Sequence, residues 1–167
     1  AMRAIAATRP IQYERAQDSD HSDIKCPMYT RPWNVEKYVK NNPKKPFILC
    51  EYVHAMGNSN GDVQDYWDLV RKYPSMQGGF VWDFADQAVW KTDSRGTWLS
   101  FGGDWGDQPN DDNFNCNGFV SATREPQPGA YEIKHAYQPV HVDKWDWAAK
   151  KATIYNSWRF TSLEGVE

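Results

Sequence analysis

The chain of 167 residues has only three cysteines, Cys26, Cys50 and Cys116, with no C-x-x-C pair and no zinc-like spacing. An odd, widely spaced set excludes a disulfide scaffold and reads as buried thiols. Long apolar runs are missing too, so no membrane span is visible, and the opening AMRAIAATRP carries no secretory signal. Because that N-terminus reads as a cut end, the compartment stays open between cytoplasm and periplasm. Basic charge is in deficit: a formal net charge of −3 and a pI near 5.8 give no field to attract a phosphate backbone or an anionic membrane. Neither nucleic acid nor membrane is an expected partner. Internal repeats and low-complexity tracts are absent, and Leu, Ile and Val are sparse.

What the chain has is rings. Nine Trp, nine Tyr and seven Phe make up 15% of it, a composition that leans towards carbohydrate, since aromatic faces stack on sugar C–H groups. Composition alone is also met, and more commonly, by a core built on large rings.

Residues 1–9 read as the tail of a helix, Ile11 to Glu14 as a short strand, and Ile24 to Tyr29 as a second strand interrupted by Pro27. A brief helix is expected over 33–41. Phe47-Ile48-Leu49-Cys50 is a continuous apolar run of the kind found in parallel sheets covered on both faces, and Glu51 ends it. Val63, Tyr66, Trp67 and Val70 then fall at i, i+3, i+4 and i+7, which predicts a helix over 62–73 with Asp62 in its first turn. Gly78-Gly79 introduces a strand Phe80-Val81-Trp82 that ends on Asp83. The alternation of strands and helices is the α/β pattern. Four such strands are half of an eight-stranded barrel, a complete one taking roughly 250 residues. Residues 91–128 read as a long irregular loop, 129–138 as a last helix, and 140–147 with 151–160 as two strands.

In parallel α/β barrels the C-terminal strand ends face the active site. Here they present Glu14, Tyr29, Glu51 and Trp82-Asp83, a set suited to glycoside hydrolysis by two carboxyl groups. Each has a plainer reading. Glu51 could merely cap a loop, Glu14 is more simply structural, Tyr29 could be a core tyrosine, and His54 an ordinary loop histidine. No H-E-x-x-H, G-x-S-x-G or P-loop pattern competes. The acidic residues Asp104, Asp107, Asp111 and Asp112 lack EF-hand spacing and read as loop-ordering.

The string Phe47-Ile-Leu-Cys-Glu-Tyr-Val-His-Ala-Met-Gly-Asn-Ser59 resembles the nucleophile segment of the large β-galactosidases of glycoside hydrolase family 2. Cys26-Pro-Met-Tyr29, Gln77-Gly-Gly-Phe-Val-Trp-Asp83 and Gly102-Gly-Asp-Trp-Gly-Asp107 resemble the same family in the same order. The resemblance implies the C-terminal half of a (β/α)8 TIM barrel over residues 1–138, then the first strands of a β-sandwich over 139–167. It also implies carbohydrate metabolism: retaining hydrolysis of terminal β-D-galactosides through a covalent glycosyl-enzyme on Glu51. By the same match Tyr29 assists at the nucleophile, and His54, Trp82 and Asn117 contact the sugar. Asn117 with the Phe114 carbonyl belongs to a monovalent-cation (sodium) site.

Departures from the pattern define what else is expected. The family's acid/base glutamate follows an Asn, and no Asn-Glu dipeptide occurs in this chain. Its magnesium ligands and one sodium-site aspartate also precede the matching region, so most cofactor ligands fall outside this chain. The isolated chain is therefore expected to be inactive, and a half-barrel with open sheet edges is expected to self-associate. Two alternatives stay open: a non-catalytic carbohydrate-binding fragment stacking sugars on Tyr29, Trp82 and Trp105, and another family 2 specificity such as a glucuronidase or mannosidase.

Overall fold

A computed structural model describes residues 2–166. Its centre is strand β1, Phe47–Tyr52, paired in parallel with β2, Met76–Val81, through the crossover helix α3, Val63–Lys72. The preceding helices are α1, Met2–Ile5, and α2, Pro32–Val39, the latter opened by a proline whose missing N–H costs nothing at a first turn. Two antiparallel hairpins follow: β3, Val89–Asp93, with β4, Gly96–Ser100, and, after helix α4, Pro128–Tyr137, β5, Val140–Asp146, with β6, Lys151–Asn156.

The core lies where α2, α3 and α4 meet the β1–β2 sheet. Val35 and Val39 of α2, Val63, Tyr66 and Leu69 of α3, and Ala136 of α4 pack with Phe47, Leu49 and Tyr52 of β1. One polar clasp runs through this apolar layer. The Tyr52 and Tyr137 hydroxyls lie 2.5 Å apart, and the Trp67 indole N–H donates to the Tyr52 oxygen at 3.2 Å. Burial holds both phenols above their ordinary pKa, so they stay protonated and hydrogen-bonded. Gly79 lets β2 lie close to β1, since a Cβ there would meet Leu49 Cβ and the Tyr52 ring at 3.0 Å.

Several expected elements take a different form, for physical reasons. Ile11 to Glu14 is not a strand. The Ile11 N–H is taken by the Asp23 carboxylate at 2.7 Å and the Tyr13 N–H by the Ser22 hydroxyl at 3.2 Å, and Glu14 opens a 3-10 turn. Residues 25–28 run parallel to β1 only as isolated bridges, Lys25 to Phe47 and Met28 to Glu51. Pro27 between them has no N–H to donate, though its carbonyl accepts from Cys50 at 3.2 Å. Asp62 does not cap α3: it sits at the N-cap in the left-handed region, φ 64°, and Glu132 of α4 accepts the Val63 N–H at 2.9 Å instead. Gly78 and Gly79 lie inside β2 rather than before it. The segment from Lys91 is not irregular throughout. It begins within the β3–β4 hairpin, where Thr92 pairs with Thr97 and the Lys91 and Arg95 cations lie over the Trp98 ring. Of the three thiols only Cys26 is fully buried.

At the far end, Arg71 of α3 ties the last hairpin to the helices. Its Nη2 donates to the Ala136 carbonyl at 2.6 Å and to His141 Nε2 at 3.0 Å. Burial and the Arg71 charge lower the His141 pKa, which favours the neutral ring that can accept this bond. Among the described residues, no helix is long and apolar enough to cross a membrane.

Two outcomes follow from this packing. Leu49→Ala, at a position fully excluded from solvent, should cost about 2–5 kcal/mol in urea unfolding. Because the folded pKa of His141 lies below the unfolded value of 6.5, unfolded chains take up its proton first as pH drops. Stability should therefore decline below about pH 6.5 and level off beneath the folded pKa, and His141→Gln should flatten that part of the profile.

Candidate active site

Side chains alternate along a strand, so Glu51 would point the same way as Phe47 and Leu49, into the helix-packed layer. It does not. The register of β1 on β2 shifts between Leu49 and Tyr52, and Tyr52 occupies the buried position, 1% exposed, while Glu51 is only partly covered. Irregularities of this kind re-aim a side chain, and they recur beside active sites.

Tyr29 closes on the freed carboxylate. Its backbone N–H donates to the Glu51 carbonyl at 2.9 Å, and its hydroxyl donates to Glu51 Oε2 at 2.8 Å. The residue adopts φ 49°, a left-handed conformation costly for a tyrosine and sustained by these two bonds. Burial, then the hydrogen bond to Glu51 and its charge, push the phenol pKa well above its usual range. The proton accordingly stays on Tyr29 and points at the carboxylate.

His54 follows on the loop after β1, its ring edge-on to Tyr29 at 6.2 Å and tilted against Phe114 at 5.6 Å. Its Nε2 is buried without a hydrogen-bond partner. Ser59, the last residue of the nucleophile-like string, places its hydroxyl 2.5 Å from the His54 carbonyl and 2.7 Å from that of Met56, pinning the loop. Trp82, just beyond β2, donates its N–H to the Tyr52 carbonyl at 3.1 Å and accepts from the Ala55 N–H at 2.8 Å. Tyr29, Glu51, His54, Trp82 and Phe114 together line a cavity of about 450 Å³.

Trp82 and Phe114 also wall a neighbouring cavity of about 290 Å³ that Asn117 and Gln87 line. Asn117 is 2% exposed; its Nδ2 donates to the Phe114 carbonyl at 3.0 Å, while Oδ1 has no partner. A buried acceptor left unmet requires a donor or a cation from elsewhere. Neutral oxygen donors of this kind suit a hard cation or a sugar hydroxyl. Among the described residues, no three or more His, Cys, Asp or Glu side chains gather where they could hold a metal ion.

The other strand-end carboxylates do not join Glu51. Glu14 pairs with Arg15, and Asp83 accepts from the Phe84 N–H and from Gln87 Nε2 at 2.5 Å. Asp104 and Asp107 order their own loop by accepting from the Phe101 and Gly103 N–H groups. A cleft of about 480 Å³ between α3, the start of β2 and the end of β6 is larger, but no carboxylate lines it. Among the described residues Glu51 is thus the one carboxylate on the aromatic cavity.

Residues 1–142 match the family model described as glycosyl hydrolases family 2, TIM barrel domain. A β-galactosidase of Priestia megaterium is 47% identical over 165 residues, covering 96% of this chain and 16% of that protein. One of Halalkalibacterium halodurans is 45% identical over 146 residues, covering 84% of this chain and 14% of that protein. The chain therefore spans only 14–16% of the length of these relatives. Among solved structures, a β-glucuronidase of Bacteroides uniformis aligns with a TM-score of 0.43 at 18% identity, over 75% of this chain and 17% of that one. On the family match and these identities, the chain belongs to glycoside hydrolase family 2, within its TIM barrel domain.

Proposed function

We propose that this chain is the nucleophile-bearing part of a retaining β-galactosidase. The observation that carries the reading is the Tyr29–Glu51 pair, 2.8 Å apart on a cavity walled by His54, Trp82 and Phe114. Glu51 attacks the anomeric carbon from that cavity and forms the covalent galactosyl-enzyme, while the aglycone leaves with a proton from a second carboxyl group about 5–5.5 Å away. Tyr29 keeps its proton directed at Glu51, which stabilises the carboxylate before attack and again as it departs from the sugar. His54 and Trp82 shape the galactose pocket.

The galactose specificity rests on the relatives of Priestia megaterium and Halalkalibacterium halodurans, both β-galactosidases. Asn117 Oδ1, with the Phe114 carbonyl, contributes to a monovalent-cation site that also orients the sugar; the remaining ligands, and those for magnesium, come from upstream. Residues 1–138 are assigned to the catalytic barrel and 139–167 to the start of a β-sandwich. Because no second carboxylate lines the cavity, the isolated chain lacks the acid.

The full-length enzyme carrying this segment should hydrolyse an aryl β-galactoside with retention, and Glu51→Gln should abolish that turnover while Tyr29→Phe lowers kcat on the order of 10²–10⁴-fold. The isolated 167-residue chain should be inert in the same assay. Full activity of the Glu51→Gln enzyme would refute the assignment of the nucleophile.

Self-association of the isolated chain is supported by Phe80 and Phe84, exposed at 64% and 65% on and just beyond β2, and by the tendency of open sheet edges to pair. Sedimentation velocity should show dimers or larger species whose fraction rises with concentration; a single monomer boundary at high concentration would contradict it.

A further inference from the structure

Asn117 sits two residues before Phe119, whose ring is buried in the core. What holds it is a ladder to the residues after Trp82. The Asp83 N–H donates to the Asn117 carbonyl at 2.8 Å, the Phe119 N–H to the Asp83 carbonyl at 3.1 Å, and the Asp86 N–H to the Val120 carbonyl at 2.9 Å. The two segments lie so close at Gly118 that a Cβ there would fall 2.1 Å from the Asp86 nitrogen. Only glycine is compatible with that approach.

The Asp86 carboxylate closes the arrangement. Its Oδ1 accepts the Gly118 N–H at 2.7 Å, one peptide past Asn117, and its Oδ2 accepts from Gln127 Nε2 at 2.9 Å. Gln127 is the N-cap residue of α4, and its own N–H donates to the Phe119 carbonyl at 2.9 Å. One carboxylate thereby joins the segment carrying Asn117 to the start of a helix packed in the core. Both its oxygens are engaged, and it lines neither the Glu51 cavity nor the one beside it.

We infer that Asp86 is a positioning residue: it fixes the Asn117–Gly118 segment so that the unpartnered Asn117 Oδ1 is presented to the cavity shared with Trp82 and Phe114. The inference rests on the reading of Asn117 as a sugar-contacting or cation-mediating residue. Hydrogen bonding, not charge, is what the geometry requires of position 86. Asparagine satisfies it, because its Oδ1 can still accept from Gly118 and the Gln127 amide can turn over to offer its oxygen to the new Nδ2. Alanine removes both ties.

The test uses the full-length enzyme carrying this segment and D-galactose as the probe, read as its inhibition constant. Asn117→Ala and Asp86→Ala should each weaken galactose by about tenfold, the scale of one lost hydrogen bond, while Asp86→Asn stays near the parent value. The double variant should be no weaker than Asn117→Ala alone, since residues acting through one another do not add. If Asp86→Ala fails to fold, Gln127→Ala, which removes a single tie, takes its place with the same expected direction. Unchanged galactose affinity in Asp86→Ala, or a double variant showing the sum of both losses, would overturn the positioning role. An Asn117→Ala enzyme with unaltered affinity would instead remove the reading of Asn117 on which the inference stands.

Discussion

The site depends on a break in the pairing of β1. Were the strand regular to its end, Glu51 would share the face of Phe47 and Leu49 and enter a layer of side chains packed against α2 and α3. A carboxylate buried there without a partner would protonate or destabilise the sheet. The shifted register gives the buried position to Tyr52, whose hydroxyl finds Tyr137 and Trp67, and leaves Glu51 free to meet Tyr29. Structural and chemical roles are thus divided between adjacent residues of opposite need. One requires an enclosed polar partner, the other an open cavity.

The same economy extends to the walls. The backbone of residues 52–55 holds Trp82, and the backbone beyond Trp82 holds Asn117, each by main-chain bonds between 2.8 and 3.1 Å. Glu51, Trp82 and Asn117 are therefore placed by one continuous series of ladders rather than by mobile loop tips. Such placement on a framework of main-chain bonds fixes the cavity-lining groups relative to one another.

Much of this was legible in the sequence where a pattern reports a physical repeat. The apolar run at 47–50 gave β1, the i, i+3, i+4 spacing from Val63 gave α3, and the family strings brought Tyr29, Glu51, His54 and Trp82 to one cavity. Failures occurred where a side chain does what backbone usually does. Ser22 and Asp23 consume the N–H groups that would have made Ile11 to Tyr13 a strand, and the first N–H of α3 is taken by Glu132 from far along the chain. The β3–β4 hairpin was hidden because its apolar residues are adjacent rather than alternating, Val89 with Trp90 and Trp98 with Leu99, so a period of two gave no signal. The ties of Asp86 span 32 and 41 residues, a separation that no local pattern records.

The cap on α3 has a bearing on how the chain is assembled in time. The Val63 N–H is satisfied by a carboxylate 69 residues further along. At typical elongation rates of about 5–20 residues per second, that partner emerges from the ribosome several seconds after the helix it completes. Until then the first N–H of α3 has only solvent to meet it. The crossover between the strand bearing Glu51 and the strand leading to Trp82 is therefore completed at its first turn by α4, so a segment that follows both cavity walls in sequence finishes the helix that joins them.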